Sequence, residues 1–285
     1  MPVANPSVDV LLDFRAHASL TNDRTTAGEY WVGLASTQQE REAAFRLRFV
    51  VFNLELNEGL DTAYVDGFDV DRYDAVCDHL IVRHQPTGAI IGTYRLQRGD
   101  VAHAHYGYYS EQEFDFTPFE PMRSQIVELG RACIHRDHRS SEVLHLLWRA
   151  IARYVLAQGG RYMIGCCSLS SIDPALGHAV YRGLRNYTVE PSLMTVPTAP
   201  FALHGNVLPG NVLHGNVLPG KVLPSEDVTM DDARPPKLLR AYLTIGAKIC
   251  SEPALDREFR TIDFLTLLDL QTLHPRVAAR FLDAR

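Results

Sequence analysis

Three consecutive runs decide the fold: Gln125-Ile-Val-Glu-Leu-Gly-Arg-Ala-Cys-Ile-His135, then Arg136-Asp-His-Arg-Ser-Ser141, then Glu142-Val-Leu-His-Leu-Leu-Trp-Arg-Ala-Ile-Ala-Arg-Tyr-Val-Leu-Ala157. The first is apolar and reads as a strand. The second is a short polar turn. In the third, Leu144, Leu147, Trp148, Ile151 and Val155 recur at helical spacing, and Gln158-Gly159-Gly160 ends the helix. A further strand follows over Arg161–Leu169. Asp173-Pro174 then opens a helix to about Leu184, with proline in its first turn. Strand, helix, strand, helix is the pattern of an α/β domain.

Upstream, Thr37-Gln-Gln-Glu40 has the spacing of a capping box, and Ala44, Leu47, Val51 and Leu54 follow at helical intervals. A helix over about 38–54 is predicted. Residues 55–76 are acidic and turn-rich, with Asp61, Asp66, Asp69, Asp71 and Asp74 close together. Next comes a hairpin: His79–Arg83, a turn at Gln85–Gly88, and Ala89–Leu96. Between hairpin and deciding strand, residues 99–123 carry Tyr106, Tyr108, Tyr109, Phe114, Phe116 and Phe119. This composition suits a partly ordered flap over an apolar site, with ordinary loop packing as the alternative.

Four pentapeptides begin at Asn206, Asn211, Asn216 and Lys221, each with Val-Leu in second and third place. Their proline and glycine content, and a period that fits neither helix nor strand, indicate an insertion that the core does not need. Lys237–Ile249 reads as a helix and then a strand, Ile262–Leu268 as the last clear strand, and the segment from Pro275 as a short helix. The expected organisation is an N-terminal arm over 1–29 and one α/β domain over 30–285, interrupted at about 203–225.

Composition narrows the function. The chain has 285 residues, 46% hydrophobic and 22% charged, ordinary for a globular protein. Its 28 basic and 34 acidic residues give a formal net charge of -6, which disfavours a globally basic nucleic-acid binder. The five cysteines are an odd number without a Cys-x-x-Cys, and read as reduced thiols of a cytoplasmic protein. No signal peptide and no transmembrane stretch is expected.

The chemistry concentrates on the deciding stretch. Alternation would place Glu128 and Arg131 on opposite faces of a strand, but Gly130 between them suggests a bulge. Ser140 and Ser141 stand where a helix N-terminus favours an anion, and Arg136 and Arg139 add positive charge. Together they suit the phosphate of a carrier; a solvated strand–helix connection is the plainer alternative. His145, Arg149 and Arg153 form a basic stripe at i, i+4 and i+8 that suits an acidic partner, with a solvated face as the commoner alternative. Cys133, Cys166 and Cys167 read as small core residues, and the histidine pairs at 103/105 and 135/138 lack further metal ligands at useful spacing. No metal is expected. No Gly-x-Ser-x-Gly, P-loop or dinucleotide fingerprint is present.

Several short motifs in order resemble the ornithine N-alpha-acyltransferases, also called hemolysin-like proteins, of the GNAT acyltransferase superfamily, relatives of the acyl-homoserine-lactone synthases. The motifs are Asp71-Arg-Tyr-Asp74, Cys77-Asp-His-Leu80, Ile91-Gly-Thr-Tyr-Arg95-Leu, Glu128-Leu-Gly-Arg131, Leu147-Trp148 and Gly165-Cys-Cys-Ser168, with Gly246-Ala-Lys, Glu252-Pro-Ala and 256–263 towards the C-terminus. The resemblance covers about 30–285 apart from the repeat.

It implies a GNAT-like mixed central sheet flanked by helices, and transfer of a 3-hydroxylated fatty acyl group from acyl-carrier protein to the α-amine of ornithine, giving lyso-ornithine lipid. The donor's phosphopantetheine thioester would lie beside the strand of Glu128, with its phosphate at 136–141. The usual glycine-rich turn, Gln/Arg-x-x-Gly-x-Gly/Ala, is missing there, which favours acyl-carrier protein over coenzyme A. Glu128 is the expected base, directly or through a water; its alternative is a buried ion pair with Arg95 or Arg131. Backbone N–H groups near Arg131 and Ala132 would stabilise the oxyanion. Arg48, Asp71 with Asp74, Arg95, and Glu128 with Arg131 stand at the functional motif positions of the lactone synthases. Asp71 and Asp74 are read as binding the cationic acceptor or ordering the first helix, and Arg95 as holding the acceptor carboxylate. Loose contact with the inner membrane face follows from an amphiphilic product. Acylation of glycine or glutamine, a homoserine-lactone-type synthase, and a non-catalytic carrier- or lipid-binding protein are the alternatives.

Overall fold

The structure, a computed structural model, describes residues 25–203 and 233–282. Most of the expected N-terminal arm and the whole pentapeptide repeat lie outside the described residues. The first strand opens at Thr25, inside the stretch expected as an arm.

Nine strands form one sheet: β1 Thr25–Ala27, β2 Tyr30–Leu34, β3 Asp78–His84, β4 Ile90–Arg98, β5 Ile126–Ile134, β6 Tyr162–Leu169, β7 Lys248–Ile249, β8 Ala254–Asp256 and β9 Thr261–Asp269. Its order is β1-β2-β3-β4-β5-β6-β9-β7, with β8 also on β9. Among the described residues six α-helices accompany it: α1 Gln38–Arg48, α2 Gly99–Ala104, α3 Ser141–Ala157, α4 Pro174–Gly183, α5 Lys237–Thr244 and α6 Pro275–Phe281.

Local chemistry starts these helices where the sequence says it should. Thr37 Oγ1 accepts the Glu40 N–H while Glu40 reaches back to the Thr37 N–H, closing the capping box of α1. Ser140 caps α3 and Asp173 caps α4 ahead of Pro174. Past Arg48, α1 widens into a π-helical stretch, Phe49–Leu56, which stops at Asn57 in the left-handed region (φ 56°).

Alternation along β4 sorts the two faces. Tyr94 and Leu96 join Val127, Leu147, Ile151, Val155 and Phe281 in the main core under α3 and α6. Arg95 and Gln97 point to the face that carries α1 and the 99–125 segment. That segment is no flap. Tyr108, Phe114 and Phe119 are fully buried and pack with Ile126, Ile164, Leu265 and Leu267 as a second core. The expectation of a partly ordered cover is corrected: residues 99–125 form α2 and short 3-10 turns whose rings enter the sheet's face, because the face beside α1 has no other helix to fill it.

All neighbouring strands pair antiparallel except β5 and β6. Their parallel ladder runs only from Ile126↔Tyr162 to Glu128↔Ile164, although the strands have nine and eight residues. One step on, a Cβ at Gly165 would stand 2.2 Å from the Leu129 carbonyl oxygen, so only glycine lets the strands approach there. Beyond that contact they part without further ladder pairs.

Candidate active site

The parting of β5 and β6 is where the sequence put its chemistry. Thr93 pairs with Cys133 and Arg95 with Gly130, so Tyr94 faces two residues, Arg131 and Ala132. This is a β-bulge, and Arg131 takes its left-handed position at φ 49°. The bulge that Gly130 suggests is therefore present, one residue further on. It turns Arg131 onto the face of Glu128 and Arg95.

Two pockets meet at this segment, and both are lined by Leu129, Gly130, Arg131, Ala132 and Cys166. One is apolar and runs under α3, α5 and α6 past Trp148, Ile151 and Leu268. Inside it the hydroxyls of Tyr94 and Tyr242 are hydrogen-bonded to each other. The other, of about 260 Å3, opens on the α1 face and is mixed, with Arg95, Glu128, Tyr109, Thr261 and Asp263 on its walls beside Phe52, Leu239 and Phe259.

Glu128 is buried, and a 3-10 turn holds its carboxylate. Oε2 accepts the Tyr109 N–H (2.7 Å), and Oε1 accepts the Ser110 N–H (2.8 Å) and the Ser110 hydroxyl. Burial pushes the carboxyl above its ordinary range, and the bonds from Ser110 and Tyr109 oppose it without cancelling it. The ion pair considered with Arg95 or Arg131 does not form, because Asp71 takes both arginines.

Arg48, Asp69, Asp71, Asp74, Arg95 and Arg131 make one buried network of three cations and three anions. Arg48 is fully buried. It donates from Nη1 and Nη2 to the two oxygens of Asp74 (2.7 and 2.9 Å) and from Nε to Asp69 (2.8 Å). Arg95 reaches Asp71 at 2.6 Å, and Arg131 reaches the same carboxylate at 3.1 Å. Asp71 and Asp74 also cap the 3-10 turn Arg72–Ala75. Burial alone would raise the Asp74 carboxyl; Arg48 outweighs it and holds the group well below the usual range. Asp74 is thus consumed in fixing the end of α1, one of its two expected roles, and has no oxygen left for an acceptor. Asp69, a full member of the network, was read only as part of an acidic run. Its role is set by the turn that folds 61–76 against α1, which the sequence does not display.

At the turn after β5, Ser140 Oγ accepts the Val143 N–H and is the cap of α3. Ser141 is the first helical residue, and Arg136 is exposed. Arg139 differs from expectation: Glu55 holds its guanidinium at 2.5 and 2.8 Å, and it also donates to the Ile134 carbonyl. The basic stripe on α3 is corrected too. His145 turns to α6, lies against Phe281 and accepts from Arg280 at 3.0 Å, with its pKa lowered by burial and by that arginine. Cys77, Cys133, Cys166, Cys167 and Cys250 are all free thiols. Burial raises Cys133 to about 12 and lifts Cys166 well above the ordinary thiol range, so neither is a ready thiolate.

Sequence comparison fits this geometry. The acetyltransferase (GNAT) domain profile matches residues 47–149, which run from the end of α1 into α3. An L-ornithine N(alpha)-acyltransferase of Brucella abortus is 30% identical over 264 residues, 87% of this chain and 87% of the relative. The chain belongs to the L-ornithine N(alpha)-acyltransferase family. The enzyme of that name from Rhodobacter capsulatus is 28% identical over 250 residues, covering 86% of this chain and 91% of the relative. Among solved structures, the acyl-homoserine-lactone synthase LasI overlays with a TM-score of 0.49 at 12% identity, covering 91% of this chain and all of LasI. The GNAT domain match and the mixed sheet flanked by helices give this acyltransferase the GNAT fold. No helix of its described residues is long and apolar enough to cross a membrane.

Proposed function

We propose that this acyltransferase moves a long, 3-hydroxylated fatty acyl group from acyl-carrier protein to the α-amine of ornithine, giving lyso-ornithine lipid. One observation carries the reading: an apolar pocket and a charged pocket meet at the bulge of β5, with Glu128 on the charged side. The apolar lining of the first suits part of a fatty chain, and the charged groups of the second suit a zwitterion. The relatives named for ornithine support the acceptor.

In this mechanism the α-ammonium gives one proton to Glu128, directly or through one water, to become the neutral amine; its second proton goes to the leaving thiolate as the amide forms. The nitrogen then attacks the thioester carbonyl, the C–N bond forms, and the oxyanion sits on the N–H groups of Arg131 and Ala132, where a bulge leaves backbone unpaired. The C–S bond breaks and the carrier thiolate leaves, taking up a proton. Arg95 and Arg131 attract the acceptor carboxylate while Asp71 orients them; Arg48 and Asp74 hold that frame from behind. The phosphodiester of the carrier meets Arg136 and the start of α3 at Ser141, while the Ser140 N–H is taken by the His138 carbonyl and its hydroxyl caps the helix; Arg139 joins only by releasing Glu55. The expected N-terminal arm and the insertion at about 203–225 are not needed for this chemistry. The product's amphiphilic character places the enzyme at the inner membrane face.

Expression in a bacterial host that makes no aminolipids, followed by mass spectrometry of its lipids, tests the proposal. A new lyso-lipid whose head-group fragment is ornithine is expected. A head group of glycine or glutamine would overturn the acceptor, and a folded protein with no new lipid would overturn the reaction.

A further inference from the structure

The acidic run 61–74 suggests itself as the seat for the second positive charge of a diamino acid, but its inner members are already neutralised by Arg48, Arg95 and Arg131. A second acidic group faces the same pocket with no such partner. Asp263 on β9 lines the pocket wall beside Thr261 and Cys166. Glu113 stands behind it, and the carboxylates of Glu113 and Asp263 and the Cys166 sulfur lie within 4.8 Å of one another. Asp263 is 4% exposed and Glu113 0%. No hydrogen-bond donor of the described residues meets Asp263 Oδ1, Glu113 Oε1 or the neighbouring Thr261 hydroxyl.

Resting on the acceptor reading above, we infer that Asp263, backed by Glu113, binds the side-chain ammonium of the acceptor and selects a diamino acid over neutral amino acids.

Burying carboxylates without a counter-charge is unfavourable, and proteins retain such groups where a ligand supplies the charge. Burial raises both carboxyls, Asp263 to about 6 and Glu113 well above the ordinary range, with Asp256 adding like charge. Asp256 itself is satisfied by the Tyr109 hydroxyl and the N–H groups of Glu258 and Phe259, so it is structural. Glu128 and Asp263 line the same pocket, so one diamino acid can meet both carboxylates. The pocket is then ordered by charge: arginines for the carboxylate, Glu128 for the α-amine, Asp263 for the far ammonium.

The test compares ornithine with 2-aminopentanoate, which is ornithine without its terminal amine, in the full-length wild type, Asp263→Asn and Glu113→Gln, with an acyl-carrier-protein thioester as donor. The wild type should prefer ornithine at least 100-fold in kcat/KM. Asp263→Asn should bring the ratio below about 10 through the ornithine KM, with the thermal melt of each variant as the control for folding. Glu113→Gln should lower it less. A ratio unchanged in both variants, with the wild type preferring ornithine, overturns this inference alone. A wild type indifferent to the terminal amine overturns the acceptor reading and this inference with it. Zn2+ added alone that binds the wild type stoichiometrically, is lost in Asp263→Asn, and leaves ornithine preference untouched would make the three side chains a metal site and overturn the inference.

Discussion

Glu128 shows how one residue is tuned by its neighbours. A base must be ionised to accept a proton, and burial opposes that. The donors from Tyr109 and Ser110 act the other way but leave the carboxyl above its ordinary range. Activity limited by Glu128 should therefore rise with pH through that raised value and level off above it. Glu128→Gln should lower kcat about 10²–10⁴-fold while donor affinity holds. Ser110→Ala removes a donor that favours the charged form, so the acidic limb of the pH–rate profile should move to higher pH. A limb that stays put in Ser110→Ala would remove Glu128 as the titrating group. The stability consequence has the opposite sense. A raised carboxyl contributes stability below its unfolded pKa, and that contribution fades as pH climbs through the folded value. The site is thus most active where Glu128 contributes least to stability.

At the scale of elements, function depends on how β5 and β6 separate. Their ladder ends at Glu128↔Ile164, and Gly165 permits the last close contact before they part. Gly165→Ala would press a methyl against the Leu129 carbonyl. It should cost about 1–3 kcal/mol and lower turnover more than Tm would suggest, because the shift falls on the bulge. Thermal melts beside steady-state rates check this; unchanged rates would mean the bulge is held elsewhere. The elements themselves were legible. Strand, turn and capped helix over 125–157, the capping box at Thr37 and the Gln85–Gly88 hairpin are local patterns, and they fold as such. What escaped the sequence is long-range. Aromatic residues at 99–123 look alike in a cover and in a core, and only the bare face beside α1 decides for the core. Asp69 reads only as part of an acidic run, and Asp71 and Asp74 as acceptor ligands or ties to the first helix, until the turn brings three arginines to all of them. Asp263 did leave a signal, a lone carboxylate inside the apolar strand Ile262-Asp263-Phe264-Leu265, where charge is rarely buried without a purpose.

The whole molecule has two approaches to one point. The apolar pocket lies under α3, α5 and α6, the pocket with the charged groups opens beside α1, and they meet where β5 and β6 part, with Leu238 of α5 also lining both. Donor and acceptor can then be bound at once, each from its own side of the sheet. A covalent relay would need a nucleophile at the junction. The thiol there, Cys166, is held protonated by burial and by the neighbouring Glu113 carboxylate. Direct transfer within a ternary complex follows. Initial velocities measured with both substrates varied should give intersecting lines, and intact-mass spectra of enzyme incubated with donor alone should show no acyl adduct. Parallel lines with a stable adduct on Cys166 would reverse the argument: the pocket with the charged groups would then be vacant during the first half-reaction, and the meeting of the two pockets would serve to pass an acyl group through the protein.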